Sequence, residues 1–352
     1  MRILAIAAVS TVAWAPMAQA IPVGDIYSSF ISFGDSLSDN GKFQSQTVPS
    51  FEGRFSNGLT YAEILAQLFP GSGNFALGGA TAGAINANVF PAPLDNLANF
   101  DSQITAFQVA PEAFGGLAGD IGDNPLVSVF FGANDLLQDL TATLTTSAST
   151  MTAPVFDPSA ALNAASEIGA GIRRLAASDP SLDDFLVLDL PDLGGTPLFA
   201  GTPAEPLASA ATNAFNQALA VEAADLRAEG LNVSEFSVND VFQDILSGDL
   251  LLPGVTDVTG QCIPEFNVIT SEADFLAQDP STNCALNEDF SVDIAAADET
   301  LFVDSIHPNR VAHETLAELI EEELSVVPLP ATLPLFLVGL GGCAILRRRA
   351  RS

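Results

Sequence analysis

The chain has 352 residues, with 43 acidic side chains against 11 basic ones and a formal net charge of −32. Such a surface repels nucleic acid and anionic headgroups and favours solubility, so a nucleic-acid partner is excluded. Phe, Leu, Val, Ile and Ala still abound, which excludes an acidic disordered chain and supplies the apolar mass for one large domain.

In chain order, residues 1–20 carry Arg2, an apolar run and then Ala18-Gln19-Ala20. This is the pattern of a secretory signal peptide cut by signal peptidase before Ile21. Tyr27 to Phe33 is short, aromatic and β-branched, and reads as a buried strand. It runs into Gly34-Asp35-Ser36-Leu37-Ser38-Asp39-Asn40-Gly41, with a helical stretch expected soon after Ser36. That puts the Ser36 hydroxyl at the carboxyl edge of a sheet, near N–H groups that favour negative charge. Taken alone, the segment reads equally well as a strand closed by an Asp/Ser turn.

Further strands are expected at Phe75–Leu77, Leu126–Phe131, Phe185–Leu190 and Val233–Phe236, and helices over Ser159–Ala177 and Leu207–Glu229. Strands alternating with helices imply a parallel sheet covered on both faces. Several strand ends carry chemistry. The glycines of Asn74–Gly83 let backbone N–H groups approach a ligand closely. Asn134 and Asp135 stand at another edge, and Leu188–Pro197 ends a further strand in a turn.

Two stretches read as insertions. Residues 139–155 are rich in Thr, Ser and Ala and are expected as a surface loop or mobile flap. Residues 248–300 are acidic, lack a clear period and hold Cys262 and Cys284. A disulfide between these two is expected in an oxidising compartment. Their spacing fits no zinc pattern, and neither a metal nor a cofactor is expected.

The two histidines differ in setting. His307 follows Asp304 by three residues and precedes Pro308, so the carboxylate can hold one ring nitrogen while the other faces a substrate. His313 lies in the helix that follows, has no such acid, and is expected as a surface or packing residue. From Leu324 to Leu346 no residue is charged, and Arg347, Arg348, Arg349 and Arg351 follow. The run is long enough to span a bilayer with its arginine tail in the cytoplasm.

In order and wording, these blocks resemble the GDSL family of SGNH hydrolases. The resemblance is carried by Gly34-Asp35-Ser36-Leu37, the Gly53-Arg-Phe-Ser-Asn-Gly58 segment, the Asn74–Gly83 block, Gly132-Ala-Asn134-Asp135 and Asp304-Ser-Ile-His307-Pro308. Asp189–Pro197 and Asn213-Ala-Phe-Asn216 also look like segments of bacterial members. The resemblance runs over about residues 28–322 and implies a flavodoxin-like α/β/α sandwich of about five parallel strands within residues 21–325.

It also implies hydrolysis of carboxylic esters, with Ser36 as nucleophile, His307 as general base and acid, and Asp304 orienting the imidazole. The oxyanion hole would comprise the N–H groups of Ser36 and Gly79 and the Asn134 amide. Asp35 and Asp135 would brace these groups from behind. Of the three catalytic residues, Asp304 is expected to matter least. The family accepts acyl lipids, phospholipids, aryl esters and acetylated sugars. Residues 326–352, opening on Val327-Pro-Leu-Pro-Ala331, resemble the VPLPA form of the PEP-CTERM sorting signal. That implies an exosortase-type processing protease and a periplasmic, cell-surface or extracellular location. The alternatives are a polysaccharide O-deacetylase of the cell surface and, from another class, a non-catalytic surface or matrix protein that keeps the fold. A calcium-binding adhesin rests on acidity alone, without an EF-hand or nonapeptide repeat.

Overall fold

The structure is a computed structural model that describes residues 21–42, 52–88, 90, 92–117, 121–263 and 294–325. Its centre is a parallel sheet of five strands: β1 (Ser29–Gly34), β2 (Ser72–Asn74), β3 (Pro125–Phe130), β4 (Asp184–Leu188) and β5 (Asn232–Phe236). Their spatial order is β2-β1-β3-β4-β5, with every neighbouring pair parallel. Every residue of β1 and β3 is buried, which is why these strands are apolar runs rather than alternating ones.

Side-chain alternation still sorts the two faces. Phe33 points to one side, stacking on Phe75 at 5.3 Å and packing against Phe100 at 5.7 Å. Such aromatic pairs each contribute about 1 kcal/mol beyond simple burial. Phe100 opens α2 (Phe100–Val109), which packs against α4 (Ser159–Ser178), and α4 in turn packs against α3 (Ala133–Thr150) and α5 (Glu205–Ala228). On the opposite side, Tyr61 of α1 (Tyr61–Ala66) meets Phe130 edge-on, and its hydroxyl hydrogen-bonds Ser128 at 3.0 Å. There α1 packs against α7 (Arg310–Leu324). The expected three-layer α/β sandwich is therefore the one found.

Beyond β5 come α6 (Val238–Ser247), β6 (Asp257–Gln261) and β7 (Thr300–Phe302), the last two forming a separate parallel pair. Residues 264–293 of the second expected insertion lie outside the described residues. So do the signal-peptide segment, Cys284 and residues 326–346 of the apolar C-terminal run. Cys262 is buried and disulfide-bonded. No helix among the described residues is long and apolar enough to cross a membrane.

Two expectations are corrected. Residues 139–150 are helix rather than loop or flap, because they continue α3. Leu136 and Leu140 are buried at helical spacing, Leu144 packs against the same core, and Thr141 returns its hydroxyl to the Leu137 carbonyl. After Ser36 there is a turn, not a helix. The N–H groups of Ser38 and Asp39 both donate to the Asp35 carbonyl. Asp39 Oδ1 then takes the N–H groups of Gly41 and Lys42, and Gly41 turns the chain at φ +93°.

Candidate active site

The strand order reverses direction between β1 and β3, so a crevice opens at their carboxyl ends, where α/β sheets hold ligands. Ser36 follows β1 and Asn134 follows β3, with Gly34 in register with Phe130. Gly34 is fixed by Gln103, whose amide accepts the Gly34 N–H at 3.1 Å and donates to its carbonyl at 2.8 Å. A Cβ at Gly34 would stand 2.9 Å from the Phe130 carbonyl, so the turn into Ser36 needs glycine for space. No local pattern pointed to Gln103; its contact is sixty-nine residues distant along the chain.

His307 and Asp304 come from the loop after β7. Asp304 Oδ1 accepts the backbone N–H groups of Ile306 and His307 at 2.9 and 2.7 Å. Its other oxygen lies 2.7 Å from His307 Nδ1, and His307 Nε2 lies 2.8 Å from Ser36 Oγ. A carboxylate can only accept, so Nδ1 carries the proton and Nε2 is left to accept from the serine hydroxyl. Asp304 is 1 % exposed and His307 8 %, so water barely competes for these contacts.

The Gly53–Gly58 segment clamps that loop. The Phe55 ring lies 5.1 Å from the His307 ring. Ser56 donates to the Pro308 carbonyl, and Asn57 accepts the Arg310 N–H at 2.7 Å. Arg54 is itself held by both oxygens of Glu63.

The glycine block is tied down at both ends by carboxylates. Asp39 Oδ2 accepts the Gly78 N–H at 2.7 Å, while Asp135 accepts those of Ala82 and Gly83 at 2.8 and 3.0 Å. Between them Gly79 adopts φ +81°, a conformation that a side chain would strain. Among the described residues, the N–H groups of Ser36 and Gly79 donate to no protein acceptor. Asn134 Nδ2 donates to the Ala80 carbonyl at 3.0 Å and reaches Asp35 Oδ2 at 3.4 Å. Asp39 went unassigned in the sequence because its Asp-Asn-Gly turn explains it locally, whereas its second oxygen works across the crevice.

Asp35 lies directly beneath Ser36, with Oδ1 on the Leu37 N–H. Burial is the main force raising its pKa to about 7. A carboxyl raised in the fold binds more protons folded than unfolded, so its stabilising contribution fades as pH rises from about 4 through about 7. Burial raises Asp39, Asp135 and Asp189 as well. Asp35→Asn is therefore expected to gain stability relative to the wild type over that window, by on the order of a few kcal/mol. Denaturant melts of both proteins between pH 4 and 7.5 check this; parallel curves would refute it.

Beside Ser36 and His307 opens a narrow cavity of about 90 Å³ with mainly apolar walls, including Leu37, Val241, Phe242, Ile245, Phe302 and Leu316. Helix α6 supplies one wall because Val238, Phe242 and Ile245 recur on one face. Its start is fixed by Asp189, which accepts from the Ser237 hydroxyl and the Asn239 N–H. His313, expected as a surface or packing residue, is buried and lines the same cavity.

A family model described as GDSL-like Lipase/Acylhydrolase matches residues 30–320. The phosphatidylcholine-sterol acyltransferase of Aeromonas hydrophila is 28% identical over 329 residues, covering 83% of this chain and 88% of its own. An uncharacterized protein in the trpE-trpG intergenic region of Pseudomonas putida is 26% identical over 341 residues, covering 85% of this chain but 49% of its own. Among solved structures, a variant of Axe2, an acetyl xylan esterase from Geobacillus stearothermophilus, aligns at 13% identity with a TM-score of 0.41, over 86% of this chain and 98% of that one. The chain belongs to the GDSL-like lipase/acylhydrolase family, enzymes that hydrolyse acyl esters.

Proposed function

We propose that this protein is an exported serine esterase that acts on carboxylic esters bearing an apolar chain. The observation that carries this reading is the hydrogen-bonded line from Ser36 Oγ through His307 to Asp304, with the N–H groups of Ser36 and Gly79 left unpartnered among the described residues. His307 Nε2 takes the Ser36 proton as Oγ attacks the ester carbonyl, and Asp304 stabilises the resulting imidazolium. The imidazolium then returns the proton to the leaving alcohol, and water repeats the sequence to release the acid.

Negative charge on the carbonyl oxygen would be met by the N–H groups of Ser36 and Gly79. Asn134 completes the hole: one N–H of its amide is held by the Ala80 carbonyl, and the other makes only a long, weak contact to Asp35 at 3.4 Å, which an oxyanion can replace. Each such donor contributes on the order of 3 kcal/mol to lowering the barrier.

The apolar cavity favours a hydrocarbon-bearing ester over an acetylated polysaccharide, whose acyl group would leave it largely empty. Acyl transfer is the second reading: the same acyl-enzyme can pass to an alcohol instead of water. Export rests on the signal-peptide pattern of residues 1–20, and cell-surface sorting on the tail from Val327 onward. Residues 21–325, the proposed hydrolase domain, are expected to cleave p-nitrophenyl acetate and longer-chain homologues, faster with the longer chains. Turnover no higher than that of Ser36→Ala would sink the esterase reading. Product analysis with added alcohol separates hydrolysis from transfer. A fluorophosphonate probe that never labels intact protein would favour a non-catalytic role.

A further inference from the structure

His313 has no part in the chemistry above, yet it lines the cavity next to Ser36 and His307. It sits one turn into α7, on the same cavity wall as Ala312 and Leu316, and is 2 % exposed. Its Nδ1 accepts the Tyr61 backbone N–H at 3.2 Å. A nitrogen that accepts carries no proton, so in the neutral ring the proton is on Nε2. The ring is neutral because burial, and then the neighbouring His307, push its pKa down to about 3. Nε2–H is thus a donor, and among the described residues it is buried without a hydrogen-bond partner.

An orphaned donor of this kind is costly, and buried polar groups are satisfied in most folds. Any side chain with one acceptor could serve Tyr61. What histidine adds is a second nitrogen of opposite polarity on the far edge of the ring. The side chains of Val241, Ile245, Phe302 and Leu316, which share the cavity with it, carry no acceptor, and none of the polar side chains Ser36, Asn134 and Thr196 there hydrogen-bonds this nitrogen.

We propose that His313 is a specificity residue, whose Nε2–H donates to an oxygen on the substrate chain that fills the cavity. The preferred ester then bears a hydroxyl, ether or carbonyl oxygen along an otherwise apolar chain. This rests on the esterase reading and adds the substrate class to it. The oxygen can arrive on the acyl or the alcohol side of the ester, and the test distinguishes them.

Two series are compared. One consists of p-nitrophenyl esters of straight-chain acids and their isosteres with an ether oxygen stepped along the chain. The other consists of acetate esters of straight-chain alcohols and the matching glycol ethers. In the wild type, one oxygen position in one series is expected to raise kcat/KM about threefold to tenfold over its carbon isostere. In His313→Leu that advantage is expected to vanish or invert, and in His313→Gln, which keeps an N–H donor, to survive in part. Ratios measured on one sample cancel any loss of folded enzyme, and the wild-type ratio stands even where a variant fails to fold. No oxygen advantage in the wild type overturns the proposal while carbon-chain turnover leaves the esterase reading intact. An advantage unchanged in His313→Leu overturns it too. Turnover of no ester at all overturns the esterase reading, and the proposal with it.

Discussion

Ser36→Ala is expected to lower kcat on any ester substrate by about 10⁴-fold or more, with the fold unchanged. The side chain is small and 8 % exposed, and its hydroxyl makes its hydrogen bond to His307 Nε2 at 2.8 Å. Alanine therefore removes the attacking oxygen without opening a large cavity or freeing a buried charge. His307→Ala is expected to cost about as much, and the double variant little more, because nucleophile and base act as one unit. Residual rate would come from binding and the oxyanion donors. Steady-state kinetics with thermal melts check this, together with loss of fluorophosphonate labelling. Activity in Ser36→Ala within tenfold of the wild type would remove Ser36 from the mechanism.

Asp304→Asn carries the second large effect, on the order of 10³–10⁴ in kcat. Asp304 is expected to matter least of Ser36, His307 and Asp304, yet its place against the imidazole makes even its loss large. Asp304 Oδ1 is committed to the N–H groups of Ile306 and His307, so the carbonyl of an asparagine would keep that place. Its NH₂ would then face His307 Nδ1, where Asp304 Oδ2 now lies at 2.7 Å. Two donors cannot share a hydrogen bond, so Nδ1 would lose its proton and Nε2 would gain one. An Nε2–H cannot accept the Ser36 proton. The loop should remain in place, so KM is expected to change far less than kcat. A loss of tenfold or less would show that another group sets the tautomer.

Much of this was legible along the chain. Helices α4 and α5 fall within two residues of their expected bounds because a long apolar stripe repeats at helical spacing. Where composition and period disagreed, at residues 139–150, the leucine period decided and the Thr/Ser content did not. The expected strand Phe75–Leu77 pairs slightly earlier, at Ser72–Asn74, yet Phe75 and Leu77 still donate to Ser32 and Gly34. His313 was expected as a surface or packing residue and is packed; that it borders a cavity was not legible, because one polar residue on a helix says nothing about what lies across from it.

The sequence by itself determined the alternating α/β plan and the Asp304–His307 pair, which depend on local spacing, and the candidate nucleophile Ser36 through the ordered blocks that carry the family resemblance. The tertiary structure alone decided how those parts are held. Gln103 grips Gly34, Asp39 and Asp135 stretch the glycine block between them, and Asn57 anchors the histidine loop. It also placed His313 on the cavity wall with one nitrogen unsatisfied. The physical reason is the same throughout. Hydrogen bonds between residues far apart in sequence leave no period or spacing behind, and become visible only where the folded sheet brings its strand ends together.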